Sequence, residues 1–471
     1  MCKNTYIGLI ILITSFCSLS ASQKPLSKEK QIVSKIVTNQ AGKTHLEVDG
    51  KPVLYNSVQA WLPEDGDYEL NMRKAHDVGY KVFTFWFPWR MIEPSQENYD
   101  WEPLNQMIKQ AEKYNMHLDV VWAGTNFCGG LDPRFTPDFV LNNTDYLYKD
   151  EYGRVYKRKQ AEMGMCTLAN YDNKELLAIE STTLKNMMEY LAVRDTTHRV
   201  VFFQIQNEPN HAEWAQQGKE KVLAYCDALG KVIKESPYVI ATRINMAHSN
   251  YEPFIEMLKY IDCHGVDPYR DGVEFIEKLA SAKTKMPHIA ENAAYENSSS
   301  LMAVTFASGG FYNIYRLDYD YIWQKPGVYG DNWIHLHQTY DIKLFNEGLN
   351  KMAVQVAEAP AQNMITFNTE TDMPDGKYNR FKTVEGVEIG FKSLSGWRQQ
   401  GVGLCLYKDG NVYLLADNHC HYQFKDKVIV ESGYFNEAGE WINQYEPNMT
   451  KNNQGEYEFY YYPGECVRVT F

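Results

Sequence analysis

Between residues 53 and 359 the sequence alternates between two hydrophobic periods, and that rhythm constrains the fold more than any other feature. Short apolar, β-branched or aromatic runs read as buried strands at 53–59, 81–86, 117–122, 199–206, 238–244, 262–267, 287–290 and 310–315. Apolar residues at helical spacing predict helices over 68–77, 101–114, 173–193, 219–235, 251–260, 272–282, 299–307 and 337–356. Eight strand–helix repeats in succession predict a closed (β/α)8 TIM barrel rather than an open sheet. Past residue 360 the helical period disappears. Alternating runs such as Val402–Tyr407, Asn411–Leu415 and Glu456–Tyr460, separated by turns like Lys408-Asp409-Gly410, predict a C-terminal antiparallel β-sandwich.

The expected organisation is therefore a signal peptide over 1–21, a lead-in and hairpin over 22–52, the barrel over 53–359 and the sandwich over 360–471. The hairpin is read from two short runs around Asp49-Gly50, and it is placed beneath the barrel. Lys3, the apolar run Ile7–Ile13 and the small residues after it form an export signal. That run is too short to span a bilayer, and no later stretch is long enough. Cys17 is a candidate lipid anchor, with Phe16 a poor fit to the small residue usual before such a cysteine. Export to the periplasm or outer membrane is the expectation for a bacterial chain.

A net charge of −13 argues against nucleic acid and anionic membranes as partners. No Cys-x-x-Cys occurs, so the sequence calls for no metal or other cofactor. Seven cysteines remain after the leader; Cys128 with Cys166 is the one pair considered for a disulfide, against mostly free, buried thiols. Aromatic residues make up 14% of the chain, an excess compatible with stacking on sugar faces and equally with a Tyr-rich β-module.

The fourth strand ends in Gln206-Asn207-Glu208-Pro209, an amide, a carboxylate and a proline at the rim where barrels build their sites. Partial desolvation there suits a proton donor, whereas a bare Asn-Glu pair is as readily a loop cap. The seventh strand runs straight into Glu291. Two carboxyls converging on one rim are what a retaining glycosidase needs, one as acid/base and one as nucleophile.

The chain resembles clan A retaining glycoside hydrolases, closest to the β-galactosidase-type families 35 and 42. Phe85-Trp86-Phe87-Pro88-Trp89, Ile92-Glu93-Pro94, Tyr99-Asp100-Trp101, Asp119–Gly124, Gly129-Gly130, Asp150-Glu151-Tyr152-Gly153 and Gln206–Pro209 carry the resemblance, in order and at matching intervals. It implies an oligo- or polysaccharide substrate, with Glu208 as acid/base and Glu291 as nucleophile. It further implies that Asn207 binds the sugar's 2-hydroxyl and that Tyr269 bonds to the nucleophile. The chain differs from full-length members in carrying one small β-module instead of several.

Trp86, Trp122, Asn126 and Trp323 are expected substrate contacts, with packing in the core or rim as the competing role. Arg243 and Asn245 end the fifth strand and are candidates for binding hydroxyls. His211, Glu213 and Trp214 are expected on the leaving-group side, Glu93 in a structural cap or ion pair, and His264 as a hydrogen-bonded core histidine. The insertion over 124–171 is expected to roof the mouth. The resemblance favours an exo-acting β-galactosidase. A β-mannosidase, an endo-glycanase and an inactive glycan-binding barrel are the alternatives.

Overall fold

The computed structural model describes residues 29–60, 68–160, 164–247, 258–267, 288–292, 298–314, 342–368, 378–394 and 401–471. The expected signal peptide over 1–21, Cys17, Tyr269, Trp323 and the helices expected over 251–260 and 272–282, apart from residues 258–260, lie outside them.

Eight parallel strands close into a barrel: β1 (Asn56–Ala60), β2 (Val82–Trp86), β3 (His117–Phe127), β4 (Val200–Asn207), β5 (Ala241–Met246), β6 (Cys263–Val266), β7 (His288–Asn292) and β8 (Phe311–Ile314). They follow one another around the ring in chain order, and β8 closes on β1. The helices α1 (Tyr68–Asp77), α2 (Glu102–Tyr114), α3 (Lys174–Arg194), α4 (Lys219–Glu235) and α5 (Ser298–Ala307) alternate with the strands. Local chemistry sets their ends. Asn115 stops α2 in a left-handed cap at φ 50°, and Asn173 starts α3 by accepting the Leu176 N–H at 2.9 Å.

Several boundaries differ from the sequence reading, and of the strand expected over 238–244 only the part from Ala241 joins the barrel, Tyr238–Val239 pairing instead with Gln31–Ile32. Val53 belongs to the N-terminal sheet, not to β1. That sheet (Ser34–Thr38, Thr44–Val48, Lys51–Val53) turns at Asp49-Gly50, both at positive φ, and its Leu46 and Val48 seal the barrel floor against Val82, Phe202, Ala241, Ile289 and Phe311. Strand β3 continues five residues past Trp122, into the insertion. The helix expected over 337–356 breaks after residue 350 and resumes as Ala353–Glu358. There the Lys351 carbonyl turns out to accept the Phe435 N–H of the C-terminal module at 2.9 Å.

That module is a sandwich of a six-stranded and a five-stranded antiparallel sheet. One face of the larger sheet meets the smaller across Phe391, Leu414, Tyr422, Phe459 and Val469. Its other face, through Leu404, Leu406, Tyr413 and Leu415, joins the barrel's helical core. The sandwich therefore covers barrel helices that would otherwise expose apolar surface.

Candidate active site

Strand β4 carries the first carboxylate to the rim by a local irregularity. Its pairing slips before Asn207 on both sides, and Gln206 at φ 60° and Glu208 at φ 53° take left-handed backbone conformations. Such a bulge re-aims the residues that follow it. The twist is held from outside the barrel. Gln206 donates to Thr125 Oγ1 at 2.7 Å and to Glu180 Oε1 at 3.0 Å. The buried Glu180 also accepts Trp122 Nε1–H at 2.8 Å, Thr125 O–H at 2.9 Å and Tyr225 O–H at 2.6 Å.

Past the bulge, Asn207 Oδ1 accepts from Gln204 at 3.0 Å and from Asn245 at 3.3 Å, while its Nδ2 donates to Cys128 Sγ at 3.4 Å. The Glu208 N–H donates to the Asn245 carbonyl at 2.9 Å, and His211 Nε2 lies 3.4 Å from its carboxylate. Burial raises the Glu208 carboxyl, but hydrogen bonds with His211, Asp267 and Cys128 outweigh it and hold the group well below the usual carboxylate range.

Glu291, at the end of β7, pairs with the fully buried guanidinium of Arg243 on β5. Arg243 Nε also donates to Asp119 Oδ2 on β3 at 2.8 Å, and Asp119 accepts the Tyr55 hydroxyl and, at 3.3 Å, that of Thr84. Asn313 and Ser57 bond to Thr84 at 2.8 and 2.6 Å, so the barrel interior carries a polar layer above its apolar floor. Burial pushes the Glu291 carboxyl up; Arg243 works against that shift, and the charges of Asp119 and Glu208 add to it.

Between the two glutamates stands Asp267, just past β6. Its Oδ1 accepts Asn245 Nδ2–H at 3.2 Å, and burial, Glu208 and Glu291 together push its carboxyl well above the usual range. Gly265 keeps the crossing open: a Cβ there would stand 2.7 Å from Asn245 Oδ1 and 3.1 Å from Glu291 Oε1.

The structure thus brings Glu208, Asn207, Asn245, Arg243 and Glu291 into one mouth, and it changes several expected roles. Arg243 is fully buried and gives its Nε to Asp119 and its Nη1 to Glu291, with Nη2 bonded to no described residue. Asn245 commits its amide nitrogen to Asn207 and Asp267. Trp122 is fully buried on the helix side of β3, against Trp89, Phe203 and Glu180, because its strand parity points it away from the lumen. Trp86 is buried against Phe127 and Phe135, which occupy its ring. Asn126 caps the turn at the head of the insertion, its Oδ1 accepting the Gly129 and Gly130 N–H groups at 3.0 and 3.2 Å.

Cys128 and Cys166 are free thiols. Cys128, in a left-handed conformation at φ 47°, is instead the insertion's contact with Asn207 and Glu208. Of the residues expected on the leaving-group side, His211 stands beside Glu208, whereas Glu213 is fully buried. Glu93 is a cap, accepting Trp89 Nε1–H at 2.6 Å and the Glu97 N–H at 2.8 Å. His264 is buried and held neutral, its pKa lowered to about 4 by desolvation. Among the described residues no group of three His, Cys, Asp or Glu side chains is disposed to hold a metal ion, and no helix is long and apolar enough to cross a membrane.

Sequence reasoning passed over Asp119, Asp267 and Cys128. Asp119 had a signal: a charged residue inside a buried strand needs a partner, and Arg243 is its counterpart two strands along. Asp267-Pro268 repeats the carboxylate–proline ending of Glu208-Pro209.

Residues 59–219 match a family described as Beta-galactosidase. Residues 222–374 match one described as Domain of unknown function (DUF4978), so Glu208 and Glu291 fall under different family descriptions. No curated protein matches the chain. Among solved structures, an exo-β-1,4-mannosidase from Opitutaceae bacterium strain TAV5 is 12% identical, with 59% of this chain and 54% of that one covered and a TM-score of 0.40. The chain thus spans about half the length of that mannosidase. A GH30 endoxylanase from Clostridium papyrosolvens C71 is 11% identical, with 89% and 96% covered and a TM-score of 0.44.

Proposed function

We propose that this chain, a clan A glycoside hydrolase, is an exported retaining exo-β-glycosidase of β-galactosidase type, acting on terminal β-linked sugars by double displacement. In this reading Glu291 attacks the anomeric carbon while a proton from Glu208 goes to the departing oxygen. Water then enters, gives a proton to Glu208 and displaces Glu291. Asn207 meets the 2-hydroxyl, where a hydrogen bond tightens as positive charge develops on the ring.

The observation that carries the reading is the unequal setting of two carboxyls on one rim. Glu291 is fixed by a buried guanidinium, as suits a nucleophile that must be ionised and aligned. Glu208 sits among groups that exchange protons, His211, Asp267 and Cys128. A glycan-binding barrel without turnover has no need of that division. Export is supported by the leader at 1–21, and galactose specificity by the family match over 59–219.

The test is hydrolysis of a panel of aryl β-glycosides spanning the galacto, manno, gluco and fuco configurations, with Glu208→Ala and Glu291→Ala as controls. Turnover of the β-galactoside, lost by on the order of 10³-fold or more in either variant, is expected. A preference for the mannoside would move the specificity. Binding of sugars with hydrolysis of none would replace the enzyme with a lectin-like barrel.

A further inference from the structure

Asp267 is buried beside Glu208 in the mouth, and each carboxyl acts on the other. Two carboxyls that meet can hydrogen-bond only if one of them carries a proton, since two carboxylates have no donor between them. The surroundings say where that proton rests. Asp267 Oδ1 is an acceptor, engaged by Asn245 Nδ2 at 3.2 Å. Its Oδ2 is buried and accepts a hydrogen bond from no described residue, an expensive state for a carboxylate oxygen and an ordinary one for a hydroxyl that donates. Glu208, by contrast, has donors in His211 and the Cys128 thiol. Among the described residues the guanidinium in contact with this group of acids is that of Arg243, which is shared between Asp119 and Glu291.

We propose that Asp267 is a positioning residue that stores the acid proton: it holds the proton at rest and passes it along its hydrogen bond to Glu208 when substrate fills the mouth. The proposal rests on the reading of Glu208 as the acid/base and extends it. The steps balance. The proton leaves Asp267 Oδ2 for the Glu208 carboxylate, and Asp267 becomes a carboxylate still bonded to Asn245. Glu208 then gives the proton to the glycosidic oxygen, which takes the electrons of the breaking C–O bond as Glu291 bonds to the anomeric carbon. In the second half, the entering water gives its proton to Glu208 and its oxygen displaces Glu291. The proton then returns to Asp267.

Substrate supplies the reason for the transfer. A sugar in the mouth shields Glu208 from solvent and brings a basic oxygen against it, both of which favour its protonated form. Among the described residues, the groups facing Asp267 that enter this equilibrium are Glu208 and Glu291, with His211 and Cys128 acting through Glu208, and Arg243 and Asp119 through Glu291.

The test uses Asp267→Asn in the full chain, because an amide keeps the shape and can donate to Glu208 but stores no transferable proton. Infrared difference spectra at pH 7, wild type minus variant, are expected to show one protonated carboxyl group lost. Other buried acids are present in both proteins and cancel. On a substrate with a poor leaving group, kcat/KM falls on the order of tenfold or more at neutral pH, and its alkaline limb moves to lower pH. An activated aryl glycoside, which needs little proton donation, keeps its glycosylation rate. Asp267→Glu restores the carboxyl signal and the limb, and Asp267→Ser, smaller and equally without a storable proton, repeats the loss should the amide variant not fold. An unchanged infrared spectrum, or an alkaline limb that stays in place, overturns the proposal. If the wild type turns over no glycoside, the glycosidase reading fails on that result, while the infrared experiment still decides whether the proton is stored on Asp267.

Discussion

Arg243 and Glu291 form an ion pair inside the barrel, with side-chain exposures of 0% and 6%. The guanidinium's Nε is bonded to Asp119 Oδ2 at 2.8 Å, so three strands fix one carboxylate. A buried pair of this kind contributes little net stability over an apolar substitute, but removing one partner strands a charge. Its value here is orientation and ionisation of Glu291.

Arg243→Ala is therefore expected to cost about 3–5 kcal/mol in stability, because Asp119 and Glu291 lose their counter-charge in a dry interior. Arg243→Lys keeps the charge but not the fork that serves two carboxylates at once. Its kcat/KM is expected to drop on the order of 10²-fold. The sign of the pH effect follows from burial, which already raises Glu291. A weaker cation raises it further, so the acidic limb of kcat/KM moves to higher pH. A limb that stays in place would show that Arg243 does not hold Glu291 ionised.

Gly265→Ala places a methyl group 2.7 Å from Asn245 Oδ1 and 3.1 Å from Glu291 Oε1. Both neighbours are held by other bonds and cannot swing away freely. We expect a loss of about 1–3 kcal/mol in stability and a fall in kcat larger than any change in KM. Thermal melts and steady-state kinetics read the two effects separately.

Glu180→Ala removes the acceptor shared by Trp122, Thr125, Gln206 and Tyr225. The cost is expected to reach about 3 kcal/mol or more, since several buried donors lose their partner. Activity should suffer as well, because Gln206 at φ 60° is what turns Asn207 and Glu208 toward the mouth. Glu180→Gln, retaining one acceptor, should fall between the two.

Glu213 is fully buried, and neither carboxyl oxygen has a hydrogen-bond partner among the described residues. Burial pushes its pKa up to about 8. A group whose pKa is raised on folding adds stability below its unfolded value, near 4.3, and loses that contribution as the pH climbs through the folded value. The wild type should thus lose up to roughly 4 kcal/mol between pH 5 and 8 from this residue alone. Glu213→Gln should flatten that decline in urea titrations run across the range. An equally steep decline in the variant would assign it elsewhere.

The sequence rhythm carried the fold because strands and helices differ in period. The helices Tyr68–Asp77 and Lys219–Glu235 begin and end where the pattern placed them. Boundaries moved where tertiary bonds compete with local preference, as at Lys351, whose carbonyl pairs with Phe435. Glu208 and Glu291 were legible because each ends an apolar run at the same rim. Trp86 and Trp122 were not separable from core tryptophans, since a sequence fixes strand parity only once register is known. Asp267 stayed hidden because its importance lies in what it touches. Its partners Glu208, Asn245 and Glu291 are 59, 22 and 24 positions away along the chain (267 − 208, 267 − 245, 291 − 267).

The assignment of Glu208 and Glu291 as acid/base and nucleophile is tested most directly by azide rescue, followed by the stereochemistry of the product. Glu291→Ala, supplied with azide and an activated β-glycoside, should regain turnover and release a glycosyl azide of inverted configuration, because azide enters the face the carboxylate vacated. Glu208→Ala should give the azide of retained configuration. Rescue with the two configurations exchanged, or no azide product from either variant of an active enzyme, would contradict the account.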